Sequence, residues 1–89
     1  MELMETPGEI LKAALEAAGL SQSELARRLK RSPGYLSEVI SGKRRITTVL
    51  ALDLDAVSEL DMTAEGWLEL QHDYDLEQAR QRRAREGQQ

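Results

Sequence analysis

The sequence predicts an all-α protein of five helices with a helix-turn-helix in its first half, and three observations carry that prediction. Apolar residues recur at helical spacing in five separate stretches. Each stretch opens on a Ser or Thr suited to cap a helix: Thr6, Ser21, Ser32, Thr47 or Thr48, and Thr63. Between Leu20 and Ile46, two of these helices are short, joined by a tight turn and followed by a basic loop.

Residues 1–5 show no clear period and read as a loose arm. Thr6-Pro7-Gly8-Glu9 opens the first helix as a capping box with Pro at its first position. Ile10, Leu11, Ala14, Leu15 and Ala18 mark its inner face, and Gly19 ends it. Ser21 and Glu24 form a second capping box, flanked by Leu20 and Leu25 as a hydrophobic staple. Leu25, Ala26 and Leu29 then face inward, and the small Ala26 permits a close helix crossing.

After Lys30-Arg31, Ser32 caps the third helix, Pro33 occupies its first position and Gly42 stops it. Its apolar positions are Leu36, Val39 and Ile40, so Pro33, Gly34, Tyr35, Ser37 and Glu38 are expected to face outward. Ile46 returns the chain to the core. The stretch TTVLALDLDAVSELDM reads as a long fourth helix whose wide apolar stripe implies burial on two sides, one against the helix-turn-helix and the other available to a partner. Asp61-Met62-Thr63 breaks it, and a fifth helix follows with Trp67, Leu70, Gln71 and Tyr74 on one stripe. The helix-turn-helix domain spans residues 6–77, with the motif itself at 21–41. Residues 78–89 read as a polar, Arg-rich extension that continues the fifth helix for a turn or two before fraying.

Eighty-nine residues make one small domain that buries only about 60–65% of its unfolded surface, so a homodimer is attractive on stability grounds alone. No cysteine is present to form a disulfide or a thiolate metal site. The sequence has neither an apolar run long enough to span a membrane nor a basic signal-peptide start, and a cytoplasmic location is expected. The net charge of −4 divides unevenly. Residues 20–46 carry seven Lys and Arg against Glu24 and Glu38, whereas residues 47–77 hold nine acids and no base. Only charges within roughly 8 Å act strongly on a phosphate, so a clustered patch matters more than the total.

Gln22, Leu25-Ala26-Arg27-Arg28-Leu29, the capped Ser32–Ser41 helix and Gly42-Lys43-Arg44-Arg45 together resemble the lambda-repressor-like (XRE) helix-turn-helix family. The resemblance implies a five-helix lambda-repressor-like DNA-binding fold. It departs from the family at the turn, where Lys30-Arg31 stands for Gly-Val. A non-Gly residue held left-handed there costs about 1 kcal/mol. The opening Pro7-Gly8-Glu9 and the string Trp67-Leu68-Glu69-Leu70-Gln71-His72-Asp73-Tyr74-Asp75-Leu76 sharpen this to a resemblance to HigA-type addiction-module antitoxins. That resemblance implies two partners, double-stranded operator DNA and a basic, RelE-like (HigB) toxin, with repression of the protein's own operon.

On this reading the expected base contacts are Pro33, Gly34, Tyr35, Ser37 and Glu38, and the expected phosphate contacts are Gln22, Ser32, Lys43, Arg44 and Arg45. Few of these readers form bidentate bonds, so modest specificity per half-site would be recovered by a dimer on two half-sites about one helical turn apart. Glu38 has a second reading, a local ion pair with Arg31 or Lys43. Trp67, Leu70 and Tyr74 are the candidate dimer or toxin contact, although Trp67 at this spacing also fits the core. The acid-rich segment is a candidate toxin contact by complementarity.

No cofactor, metal or catalytic site is expected. His72 is the sole histidine, and no nucleophile or phosphate-loop motif accompanies it. Two alternatives stand beside the antitoxin reading: a stand-alone repressor of the same fold without a toxin, and an interaction module that no longer binds DNA.

Overall fold

The computed structural model describes residues 5–87 of the chain. Most of the expected N-terminal arm and the last two residues of the tail therefore lie outside the described residues. Five α-helices follow in order: α1 (Pro7–Ala18), α2 (Gln22–Leu29), α3 (Pro33–Ser41), α4 (Thr48–Asp55) and α5 (Ala64–Glu86), with a single 3-10 turn, Ser58–Leu60, between the last two.

Each α-helix begins at a side-chain cap. Thr6 completes a full capping box: its Oγ1 accepts from Glu9 N–H at 3.0 Å, and Glu9 Oε1 accepts from Thr6 N–H at 2.9 Å. These bonds from Thr6 hold the Glu9 carboxyl below its ordinary pKa. Ser21, Ser32, Thr47 and Thr63 accept from the third residue beyond them at 3.0, 3.2, 3.2 and 3.1 Å. The box expected at Ser21 is only half formed. Glu24 makes no return bond there and instead lies 3.7 Å from Arg27.

Helices α1, α2 and α3 end alike, on a left-handed residue whose amide and whose successor's amide close back on the last turn. Gly19 and Gly42 adopt that conformation freely. At the end of α2 the position belongs to Lys30, with φ 56°, which places the expected strain in the turn of the motif.

The core is continuous and draws on every helix. Leu11, Leu15, Leu25, Ala26, Leu36, Val39, Ile46, Leu50, Ala51, Leu54, Val57, Leu60, Ala64 and Trp67 are all buried. Helix α3 packs on both α1 and α2, while α5 packs on α4 and α1. The contact between α1 and α3 is made at Gly8. A Cβ on that residue would stand 2.3 Å from the Val39 carbonyl oxygen and 2.5 Å from that of Ile40, so only glycine lets the two backbones meet.

Two expectations are corrected, the length of the fourth helix and the place of Trp67. The fourth helix is short: it stops at Asp55, Val57 is extended, and Asp61 takes a left-handed conformation with φ 52°. Asp55 caps the next helix across this break by accepting from Ala64 N–H at 2.9 Å. Within the single chain one side of the wide stripe packs on the core and the other is open to solvent. Leu50, Ala51 and Leu54 face the core, Val57 and Leu60 reach it through the 3-10 turn, and Val49 and Leu52 remain 61% and 59% exposed. Trp67 is fully buried within the single chain, so it packs the core and offers no surface to a dimer or toxin partner.

Helix α5 continues through Glu86, further than a turn or two beyond residue 77. Its 23 residues span about 34 Å at 1.5 Å per residue.

Candidate nucleic-acid interface

The turn between α2 and α3 places the start of α3 at the surface. Pro33, Gly34 and Ser37 are exposed. Pro33 and Gly34 bring little bulk, so another molecule can approach the first turn of α3 closely, and nothing stands within 4 Å of where a Gly34 Cβ would lie. The Ser32 hydroxyl accepts from Tyr35 N–H while keeping its own proton to donate. Gln22 is half-buried at the first position of α2.

Tyr35 and Glu38 are more engaged than an outward-facing reading implied. The Tyr35 ring is half-buried between two guanidinium groups, with Arg31 at 4.6 Å and Arg44 at 5.0 Å from its centroid. Arg31 also donates to Asp53 at 3.1 Å, joining the start of α3 to α4. The Lys30-Arg31 turn therefore replaces apolar packing with a cation–π contact and an ion pair. Glu38 accepts from Arg44 Nε at 2.7 Å, so its local ion pair exists but is made with Arg44 rather than Arg31 or Lys43.

Lys43, Arg44 and Arg45 are exposed on the loop after α3. The loop is anchored at its start, where the Lys43 and Arg44 amides both donate to the Glu38 carbonyl. Arg45 pairs with Asp75 of α5. A groove of about 300 Å³ opens here between the start of α1, the basic loop and α5, with Tyr74 and Asp75 in its wall. Leu70 is half-buried on the same helix.

A further ion pair crosses the fold away from this loop. Arg28 of α2 donates to Glu59 at 2.7 Å, a bond that holds the Glu59 carboxyl below and the Arg28 guanidinium above their ordinary pKa values.

The residue that sequence reasoning passed over is Gln71. It is a buried polar side chain that accepts from Ile46 N–H at 2.7 Å and donates to Asp75 at 2.9 Å. Its place on the apolar stripe and its spacing of four from Asp75 were both visible, but the partner at Ile46 lies 25 residues away. Among the described residues no helix is long and apolar enough to cross a membrane.

Comparison with known proteins agrees with this geometry. Virulence-associated protein I of Dichelobacter nodosus is 41% identical over 76 residues, covering 84% of this chain and 68% of the relative. Among solved structures, the chain superposes on a Nostoc punctiforme protein described as an antidote protein of a plasmid maintenance system, with a TM-score of 0.85 at 31% identity over 94% of this chain and 90% of that one. It also superposes on the Pseudomonas aeruginosa antitoxin HigA, solved with the higBA promoter, with a TM-score of 0.82 at 30% identity over 92% of this chain and 88% of that one. The helix-turn-helix family model matches residues 11–57, more than half of the chain. With the capped α2–α3 pair, its exposed first turn and the basic loop beside it, the chain belongs to the helix-turn-helix family and has an all-α, lambda-repressor-like fold.

Proposed function

We propose that this protein is the antitoxin of a type II toxin–antitoxin module, which binds its own operator as a homodimer through α3 and the basic loop and neutralises a RelE-like (HigB) toxin. The observation that carries the DNA-binding half is the exposed start of α3, with Ser32, Pro33, Gly34 and Ser37 at the surface, together with the exposed Lys43, Arg44 and Arg45 of the loop that follows, from which Arg44 reaches back to the Tyr35 ring. Phosphate contacts from the loop would set register, and Ser37, with Tyr35 and Glu38 released from their arginines, would meet base edges. Gln22 and Ser32 would add phosphate contacts at the starts of α2 and α3. The solved promoter complex of the similar HigA antitoxin supports this reading.

The toxin-binding half draws on a different surface. Val49 and Leu52 form an exposed apolar pair on α4, within the segment of nine acids and no base. A basic partner complements such a surface, and Leu70 and Tyr74 of α5 remain candidates for the dimer or toxin contact.

One experiment tests both halves. The chain is co-expressed with the product of the adjacent gene, scoring growth and co-purification, while the purified protein is titrated against the DNA upstream of its own coding sequence at several salt concentrations. The reading expects relief of growth arrest, a stable complex, and an affinity that falls steeply with salt. A harmless neighbour that never co-purifies removes the toxin half, and a salt-independent titration removes the DNA half.

A further inference from the structure

The basic loop is tied at its far end to α5 by bonds that meet at two residues outside the helix-turn-helix. Gln71, only 5% exposed, uses both ends of its amide: Oε1 accepts from Ile46 N–H at 2.7 Å, and Nε2 donates to Asp75 Oδ1 at 2.9 Å. The other oxygen of Asp75 accepts from the Arg45 guanidinium. Ile46 is itself buried, so without Gln71 its N–H would be a buried donor with no acceptor. At the near end, Gly42 turns left-handed and the next two amides close on Glu38. The segment carrying Lys43, Arg44 and Arg45 is thus held at both ends, and Arg45 is held by its side chain as well.

A carboxylate beside three phosphate anchors repels DNA unless it does something else. The Arg45 side chain is 64% exposed, and its guanidinium has five donors in a planar fork, so one edge can rest on Asp75 while the rest remain free. On these grounds we propose that Gln71 and Asp75 are positioning residues for DNA binding. Together they lock the loop and the Arg45 guanidinium in fixed register with α3, so that phosphate contact and base contact occur at once. The proposal rests on the DNA-binding reading given above and extends it to a pair of α5 residues that touch no DNA themselves.

A loosened loop still neutralises phosphates, but in no fixed register, so specific binding suffers and non-specific binding does not. The full-length chain and its Gln71→Met and Asp75→Asn variants are titrated by fluorescence anisotropy against two duplexes of equal length: the DNA upstream of the chain's own coding sequence and a random sequence. Gln71→Met is expected to lose about tenfold on the upstream duplex and less than about twofold on the random one, at a temperature where circular dichroism shows native helix content. Asp75→Asn keeps an acceptor for Gln71 but frees Arg45, and is expected to lower the specific-to-non-specific ratio about threefold. Loss of fold alone would lower both affinities in proportion, and a ratio unchanged in both variants overturns the positioning role. If Gln71→Met does not fold, Asp75→Asn decides the DNA measurement.

A readout without DNA accompanies these titrations. In the free protein the Ile46 amide is expected to exchange hydrogen about tenfold faster in Gln71→Met than in the wild type, and equal rates overturn the tether itself. Wild-type protein that bound neither duplex in a salt-dependent way would sink the DNA-binding reading and the positioning role with it. Wild-type binding with an unchanged ratio would sink the positioning role alone.

Discussion

Lys30 shows how a single residue records both the class of the motif and its local cost. Three helices close with the same pair of backbone bonds, and two of them place glycine at the left-handed residue. At the third, Lys30 carries a Cβ into φ 56°, where a non-Gly residue loses about 1 kcal/mol. Its side chain is exposed and makes no ion pair among the described residues, so Lys30→Gly is expected to raise stability by about 0.5–1 kcal/mol in urea denaturation. An unchanged or lower midpoint would mean that the lysine stem contributes packing that exposure alone conceals. Trp67 teaches a different lesson. A large aromatic at stripe spacing with half-buried Leu70 and Tyr74 reads equally as core or as seam, and only its complete burial decides for the core.

Between elements, two of the contacts that hold the motif against the rest of the fold are a close backbone approach and an ion pair. Gly8 lets the first turn of α1 touch the carbonyl end of α3, and the atoms in the way of any side chain are backbone oxygens that cannot swing aside. Gly8→Ala is therefore expected to lower stability by about 2–3 kcal/mol, as overpacking against fixed groups does. Gly34→Ala serves as the control, because a Cβ there meets nothing within 4 Å.

The other contact is the Arg28–Glu59 pair, which ties α2 to the 3-10 turn. The Glu59 carboxyl lies below its ordinary value of 4.5 in the folded chain, so its contribution is complete above that pH and disappears as pH falls through the folded value. The melting temperature of Glu59→Gln is thus expected to fall short of wild type at neutral pH and to converge with it below pH 4.5. Both partners are exposed to solvent, so the gap should be small and should narrow with added salt. A gap that persists at low pH would assign the effect to packing rather than charge.

Across the whole molecule, charge is segregated along the chain while ion pairs reconnect the segments. Arg28, Arg31 and Arg45 of the basic half reach Glu59, Asp53 and Asp75 of the acidic half, and Arg44 folds back on Glu38. Lys43 is the loop cation with no such partner among the described residues. Lys43→Ala is accordingly expected to weaken binding to all duplexes alike and to reduce the slope of log affinity against log salt by about one. Tyr35→Ala should instead change the preference among duplexes. Identical effects of the two changes would show that the division into anchors and readers is wrong.

The sequence by itself determined the class, the number of α-helices and, apart from the choice between Thr47 and Thr48, the Ser or Thr that caps the start of each. Those features rest on interactions between residues three or four apart, which the order of residues displays directly. It also placed Ile46 in the core and the exposed residues of α3 beside the basic loop. Only the tertiary structure decided where α4 stops, since Val57 and Leu60 are buried whether they are reached by helix or by a 3-10 turn, and periodicity does not distinguish the two routes. The tertiary structure likewise gave Gly8 its purpose, paired Arg31 with Asp53 and set Gln71 against Ile46, across separations of 22 and 25 residues in the last two cases. Such contacts join residues that no local spacing connects, and they exist only once the helices have packed.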